Sequence, residues 1–530
     1  MSGRGKIRSG VVAAAFLALA GAGACGDAGF PTPRGGPQLT VELIDADEVA
    51  GTRLRPRPLK VNVPEGFKVK VRALDARGNV DTSYNGYVRM SSKPGAIDPI
   101  DSPDAEGRNL KLTNGESPEV EIRVTNAFGA TFILAEDQGY APADPVSKPP
   151  PACADGIDND GDGRVDFPAD EGCAFANDNT EEPGSYSTGA TQPIYYALPR
   201  IADLRGLLCD AEGVCRGTGK SPYPREQLLI DTGLHEREDG SQRFDFDLVV
   251  TRIASDGFFV TDTKDGRGGY NSIFAFNFNA PPRMRVCDRL KTFNGTAAEF
   301  FGQTQIGYPT WTLEAWNPEL RTCLVPEPFV LDPGGVLADT NNDGRVDVGA
   351  DLPPNVGGLV RVITDPARNV EVKITSKFGA GKPEKSEQTK LYAFTPDASN
   401  CDFDNNGLID FTAGNEEGIC STQCAVDPDC TEYSNFASRS TFRFYLRNTA
   451  TGQAGAIQAD ATVSTEFKPL ERKGQTIKSF TGTMTFFSGG SQYTIEARCP
   501  DDIVTDVNAS PLPMDKACVA PRTDLDENPQ

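Results

Sequence analysis

Phe67-Lys-Val-Lys-Val-Arg-Ala-Leu74 decides the fold class. Phe67, Val69, Val71 and Ala73 fall on every second position, the two-residue repeat of a strand with one face in a core and one in water. A polar run rich in turn formers follows, Asp75-Ala-Arg-Gly-Asn-Val-Asp-Thr-Ser-Tyr84, and Gly86-Tyr-Val-Arg-Met90 then alternates again. The same pattern extends in both directions. Leu39-Thr-Val-Glu-Leu43 precedes it, and Val120-Glu-Ile-Arg-Val124 and Thr131-Phe-Ile-Leu-Ala135 follow. Further on, strands are expected at Phe244–Arg252, Gly257–Asp262, Ser272–Phe276, Met284–Leu290 and Asn294–Ile306. A last group is expected at Gly358–Ile363, Val370–Ile374, Thr441–Leu446, Gly455–Phe467, Ile477–Phe487 and Gln492–Arg498. Long helical periods are few, and 54 Gly and 40 Pro supply turns between the runs, so the 530 residues predict a mostly β chain of three or four domains.

A second spelling, Asp-x-Asx-x-Asx-Gly-x-(Val/Ile)-Asp, occurs at 158–166, 339–347 and 402–410. Alternate side-chain oxygens converge on one point, the glycine allows a sharp turn, and the next residue offers its carbonyl. Hard oxygen donors at this spacing suit Ca²⁺. The side-chain donors are Asp158, Asp160, Asp162 and Asp166, then Asp339, Asn341, Asp343 and Asp347, then Asp402, Asp404, Asn406 and Asp410. Arg164, Arg345 and Leu408 would give carbonyls. The acidic residue that closes an EF-hand loop at position twelve is replaced by Ala169, Ala350 and Ala413, with Asp170, Asp351 and Glu416 close by. The competing reading is a set of solvated Asx turns. The expected role of the ion is structural.

The start of the chain predicts export. Arg4, Lys6 and Arg8 precede an apolar run, Val11 to Ala24, too short for an ordinary membrane span. It ends in Ala22-Gly23-Ala24-Cys25, which resembles a bacterial lipobox with Ala22 where leucine is usual. The resemblance implies a signal peptide over 1–24, lipidation of Cys25 and a Pro/Gly tether over 25–38. With Gly26 next, it implies a lipid-anchored outer-membrane location, on the periplasmic face or the cell surface. Plain secretion with cleavage nearby is the alternative. The formal charge is −23, and loss of Arg4, Lys6 and Arg8 with residues 1–24 leaves −26. Such a field repels phosphate polymers, so a nucleic-acid partner is not expected.

Apart from Cys25, twelve cysteines remain, an even number that predicts disulfides in an exported chain. Neighbour pairing gives Cys153–Cys173, Cys209–Cys215, Cys287–Cys323 and Cys499–Cys518. Cys401, Cys420, Cys424 and Cys430 would pair among themselves in an open order. Zinc is the rival for that cluster, which has neither a Cys-x-x-Cys pair nor a histidine.

Three resemblances assign modules. "VKVRALDARGNVDTSYNGYVRMSS" (69–92) resembles bacterial immunoglobulin-like domains of surface adhesins, which implies an immunoglobulin-like β-sandwich over 39–145 acting as a spacer or adhesive module. "CADGIDNDGDGRVDFPADEGC" (153–173) resembles Asp-rich, disulfide-closed modules of large bacterial surface proteins, and also thrombospondin type 3 and dockerin calcium loops. It implies a calcium-binding linker over 146–192. "GFFVTDT", "SIFAF" and "RVCDRLKTFNGTAAEFFGQTQI" (257–306) resemble the OB-fold domain that accompanies some secreted bacterial nucleases, implying an OB-like β-barrel over 193–330. "FTGTMTFFSGGSQYTIEARCPDDI" (480–503) parallels "FNGTAAEFFGQTQI" (293–306), implying a second OB-like domain over 355–509 with a Cys-rich insertion at 398–432. An Asp-rich loop over 331–354 and a tail over 510–530 complete the chain.

Catalytic chemistry is not expected. His235 is the only histidine, in the charged turn Leu234-His235-Glu236-Arg237, and no Gly-x-Ser-x-Gly elbow is present. OB folds bind single strands or sugars through aromatic faces; Phe258, Phe259, Tyr270, Phe274, Phe276 and Tyr308 are candidates, with core packing as the competing reading. Trp311 and Trp316 would line a sugar platform or cover a barrel end. Lys264, Arg267, Arg283, Arg285, Arg289 and Lys291 form a local cationic patch. The sequence therefore predicts a calcium-stabilised, non-catalytic surface lipoprotein for binding, adhesion or scaffolding, with a surface protein or polysaccharide as ligand. The alternatives are an accessory single-stranded nucleic-acid- or oligosaccharide-binding protein and an unrecognised carboxylate-based hydrolase.

Overall fold

A computed structural model describes residues 36–101, 107–140, 150–210 (without 174 and 183), 213–314, 325–336, 351–375 and 441–518 (without 453, 465, 468, 470, 471, 473 and 488–491). The leader with Cys25, the loops at 339–347 and 402–410, Trp316, and Cys323, Cys401, Cys420, Cys424 and Cys430 lie outside the described residues. The chain is mostly β, with several sheets and disulfides.

The alternating segments that open the chain form two facing sheets. One runs β1 (Gln38–Leu43), β2 (Glu65–Leu74), β6 (Val120–Thr125), β4 (Ala96–Ile97). The other runs β5 (Asn109–Lys111), β3 (Tyr87–Lys93), β7 (Ala130–Asp137). Register sets Val41 beside Val71 and Phe67 beside Ile122, so their side chains share one face. Val69, Val71, Val88, Met90, Ile122 and Ile133 are fully buried between the sheets. Truncating one of the isoleucines to alanine costs about 2–5 kcal/mol. After β7 the chain builds a small module at 150–182, then returns to pair β8 (Gly189–Ala190) and β9 (Ile194–Tyr195) with β7. The sandwich is thus completed by residues beyond 145.

Next come two hairpins and a six-stranded sheet. One hairpin is β10 (Leu207–Cys209) with β11 (Cys215–Gly217), closed by the Cys209–Cys215 disulfide. After β12 (Gln227–Leu229), the other is β13 (Leu234–Glu236) with β14 (Gln242–Phe244). Then follow β15 (Leu248–Ala254), β16 (Gly257–Asp262), β17 (Ser272–Phe276), β18 (Leu290–Phe300) and β19 (Gln303–Leu313). The order is β12-β18-β19-β17-β16-β15, with β17 and β19 parallel. The sheet curls back on itself: the Val250 N–H donates to the Asp288 carbonyl at 2.8 Å and the Cys287 N–H to the Val250 carbonyl at 2.9 Å. Phe258, Phe293, Ile273 and Ile306 fill the interior.

The last sheet contains β20 (Phe329–Val330), β21 (Leu359–Ile363), β22 (Val370–Thr375), β23 (Thr441–Asn448), β24 (Ala454–Asp460), β25 (Ser479–Phe487), β26 (Gln492–Glu496) and β27 (Ile503–Val504). Its central order is β21-β25-β26-β24-β23-β22, with β24 and β26 parallel. It also curls back, through the Ile477 N–H to the Val372 carbonyl at 3.1 Å. Strand for strand this repeats the preceding sheet.

Four runs differ from their sequence reading, one of them Asn294–Ile306, which is divided between β18 and β19. Met284–Leu290 is not a strand until Leu290, because Arg283 and Cys287 have left-handed backbone (φ 60° and 79°) and Cys287 is held in a disulfide. Phe244–Arg252 is divided between the end of β14 and the start of β15. The strand expected over Gly455–Phe467 ends at Asp460, where the chain turns.

The two curled sheets are joined by Arg205, which is almost fully buried. Its guanidinium donates to the carbonyls of Val356 at 2.6 Å, Pro353 at 3.0 Å and Ser272 at 3.3 Å, and lies over the Tyr270 ring. Burial pulls its pKa down to about 10. Gly357 (φ 84°) lets the incoming chain lie against Ser272, since a Cβ there would meet the Ser272 carbonyl oxygen at 2.9 Å. Arg252 pairs with Glu496 across the same boundary.

Candidate metal site

The module at 150–182 is closed by the Cys153–Cys173 disulfide, and both cysteines are buried. It sits on the sandwich through Phe175, whose ring meets Tyr87 edge-on at 4.9 Å. Inside it, successive Asx turns shape the acidic loop. Asp158 accepts the N–H groups of Gly161 at 2.6 Å and Gly163 at 3.0 Å. Asp160 accepts that of Asp162 at 3.0 Å, and Asp162 that of Arg164 at 2.8 Å. Gly161 and Gly163 have φ of 81° and 93°, which side chains rarely adopt; Gly163 holds the glycine position of the spelling, while Gly161 falls where the other two copies carry Asn342 and Asn405.

The outcome is a cluster. Asp158, Asp160 and Asp162 each bring a carboxylate oxygen within 4.8 Å of the others. Three like charges this close repel, and a hard divalent cation among them relieves the repulsion and uses their oxygen chemistry. Asp166 does not join them. Its backbone is left-handed (φ 54°), and its carboxylate turns back to accept the N–H groups of Asp155 at 3.1 Å and Gly156 at 2.9 Å. The Arg164 side chain points away to Glu171, at 2.6 Å.

Glu181 was not legible as part of this site. Its carboxylate accepts the Asn159 N–H at 2.5 Å and the Asp166 N–H at 3.3 Å, so it supports the loop from behind. No fixed spacing links it to the repeat; the only signal is an acidic residue lying after Cys173 in the same small module. The other disulfide in an acidic setting, Cys499–Cys518 beside Asp502, offers no thiolate, so a soft metal has no ligand there.

His235 lies on β13, not in a turn. Its Nε2 faces Asp231 at 3.0 Å and its Nδ1 faces Asp245. The hydrogen bond to Asp231, with help from Asp245, outweighs burial and lifts its pKa to about 9. The ring is therefore a bracketed cation with both nitrogens engaged, the wrong state for a general base. It borders a cleft of about 710 Å³ between the sandwich and β13, lined also by Leu54, Tyr195, Leu198 and Leu229.

The aromatic candidates separate. Phe258 and Phe259 are buried, Trp311 packs on Phe258, and Tyr270 lies against Arg205. Phe274 and Phe276 are half-buried, and Tyr308 is 74 % exposed. Phe278, which the alternation does not mark, is 58 % exposed and links Phe276 (4.6 Å between ring centres) to Tyr308 (5.6 Å). Both Phe278 and Tyr308 have left-handed backbone, at φ 61° and 51°, an uncommon conformation for a bulky residue. The cationic patch is partly neutralised: Arg267 pairs with Asp203 and Asp265, and Arg289 with Asp247 and Glu314.

Among the described residues no helix is long and apolar enough to cross a membrane. No family model matches the chain, and no significant match to it is found among curated proteins or solved structures.

Proposed function

We propose that this chain is a calcium-stabilised, lipid-anchored outer-membrane protein with a non-catalytic binding, adhesion or scaffold role. The observation that carries the proposal is the convergence of Asp158, Asp160 and Asp162 in a disulfide-closed module seated on the sandwich. In this reading the first two-sheet unit is an immunoglobulin-like spacer. The two curled sheets are OB-like barrels; their shared strand order and their closure onto the first strand support this. Ala22-Gly23-Ala24-Cys25 supports the anchor. The engaged nitrogens of His235 support a role without acid–base chemistry. Limited proteolysis of the oxidised full chain tests the proposal: EDTA is expected to open cleavage within 153–173, and an identical digest with Ca²⁺ and with EDTA would sink it.

A second reading is favoured by one observation, the Phe276–Phe278–Tyr308 ladder. Phe278 and Tyr308, exposed and held at uncommon backbone angles, form with the half-buried Phe276 a stacking surface of the kind that takes sugar rings or bases. The partly neutralised cations and the negative chain favour an oligosaccharide over a nucleic acid. A glycan-binding screen is expected to find a ligand that Phe278→Ala with Tyr308→Ala abolishes; binding untouched by the double variant would reject the ladder as the site.

A further inference from the structure

Behind the acidic loop lie two carboxylates that the loop itself does not explain. Asp170 is 2 % exposed and Glu181 is 1 % exposed. Each brings a carboxylate oxygen within 4.8 Å of the other and of the Cys173 sulfur. Asp170 Oδ1 accepts the Gly172 N–H at 2.7 Å, but Oδ2 is buried without a hydrogen-bond partner. Gly172 permits the close approach of the two segments, since a Cβ there would come 1.7 Å from the Glu181 carbonyl oxygen. Arg164, the arginine of this loop, is engaged with Glu171.

Two ionised carboxylates cannot share a dehydrated space without a partner. Each loses its water, and at short range in a poorly polarisable surrounding they repel strongly. Backbone N–H groups satisfy Glu181 and Asp170 Oδ1, but Asp170 Oδ2 has no donor, and a cation beside it would supply that partner and offset the repulsion. The neighbouring sulfur is half of a disulfide, so it is no thiolate and gives no soft ligand. The remaining donors are oxygens, which select a hard ion. Burial disfavours Mg²⁺, which keeps several waters, and favours Ca²⁺, which accepts a cage of protein oxygens.

We propose that Asp170 and Glu181 form a second, buried calcium site, separate from the Asp158–Asp160–Asp162 cluster. The ion fixes Glu181, and Glu181 in turn holds the Asn159 and Asp166 amides. The buried ion therefore shapes the outer loop from within. This inference deepens the calcium reading but stands on different donors, so the two can fail separately.

The test counts ions on the oxidised full chain by native mass spectrometry in Ca²⁺, comparing wild type with Asp170→Asn, Glu181→Gln and Asp160→Asn. Asp170→Asn and Glu181→Gln are each expected to carry one ion fewer than wild type and to show a smaller Ca²⁺-induced rise in melting temperature. Asp170→Asn with the wild-type ion count and an equal or higher melting temperature in Ca²⁺ would overturn the proposal, because that is how a proton-sharing pair behaves. If Asp160→Asn alone keeps every ion, the outer-loop reading falls and the buried site stands. Europium luminescence lifetimes in H₂O and D₂O supply a check on the unmutated chain. An ion held by these two buried carboxylates is expected to keep clearly fewer waters than one at the more exposed Asp158–Asp160–Asp162 cluster. Only water-rich europium environments would contradict it.

Discussion

His235 shows how a residue's neighbours decide its chemistry. In sequence it is a lone histidine among charges, and nothing in the spacing says that Asp231 and Asp245 flank both ring nitrogens. The fold brings them together by pairing β13 with β14. The consequence is a pH dependence whose sign can be worked out. The folded pKa, about 9, lies above the ordinary 6.5. The stabilisation is therefore complete below about pH 6.5 and disappears as pH rises through about 9. The side chain is 42 % exposed, so solvent screening keeps the effect under about 1 kcal/mol. The melting-temperature difference between wild type and His235→Gln is expected to be largest near pH 6 and to vanish by about pH 10. A difference that stays constant across that range would show that the ion pairs do not carry it.

At the scale of elements, alternation was a good guide wherever one face is buried. Phe67–Leu74 became β2 because a one-residue slip would have turned its apolar face to water, whereas Gly257–Asp262, buried on both faces, became β16 as a short run between turns. It failed at Met284–Leu290, where left-handed backbone at Arg283 and Cys287 breaks the ladder and no propensity signals it. The acidic loop was half legible. Spacing along the chain marked Asp158, Asp160 and Asp162, but the left-handed turn at Asp166 and the arrival of Glu181 depend on the closed module, not on spacing. Arg205 was not legible at all, since its carbonyl partners lie 67 to 151 residues away in sequence. Arg205→Leu is expected to destabilise the chain by about 1–3 kcal/mol for each carbonyl left buried and unpaired. Urea unfolding measures the loss, and hydrogen exchange should rise first at 353–358. An unchanged midpoint and exchange pattern would mean that Arg205 does not hold the two sheets together.

The whole molecule is a series of β units with one topology used twice. The parallel between "FNGTAAEFFGQTQI" and "FTGTMTFFSGGSQYTIEARCPDDI" pointed to that repetition, because each stretch includes residues of two consecutive antiparallel partners, β18 with β19 and β25 with β26. What the sequence does not carry is how the module at 150–182 is embedded. It leaves the sandwich after β7, and the chain comes back to extend the same sheet, so loosening the module loosens the strands that follow it. With a formal charge of −23, divalent ions also act on the chain non-specifically, and Mg²⁺ at equal ionic strength controls for that. An ion that binds only the folded chain at a hundred times its dissociation constant adds about 2.7 kcal/mol. The most direct measurement is calorimetric melting of the oxidised full chain in Ca²⁺, in Mg²⁺ and in EDTA, with hydrogen exchange followed over 153–182. The account predicts a higher melting temperature in Ca²⁺ alone and slowed exchange that begins in that module. Superimposable melts and exchange in all three would contradict it and reduce the acidic repeat to ordinary turns.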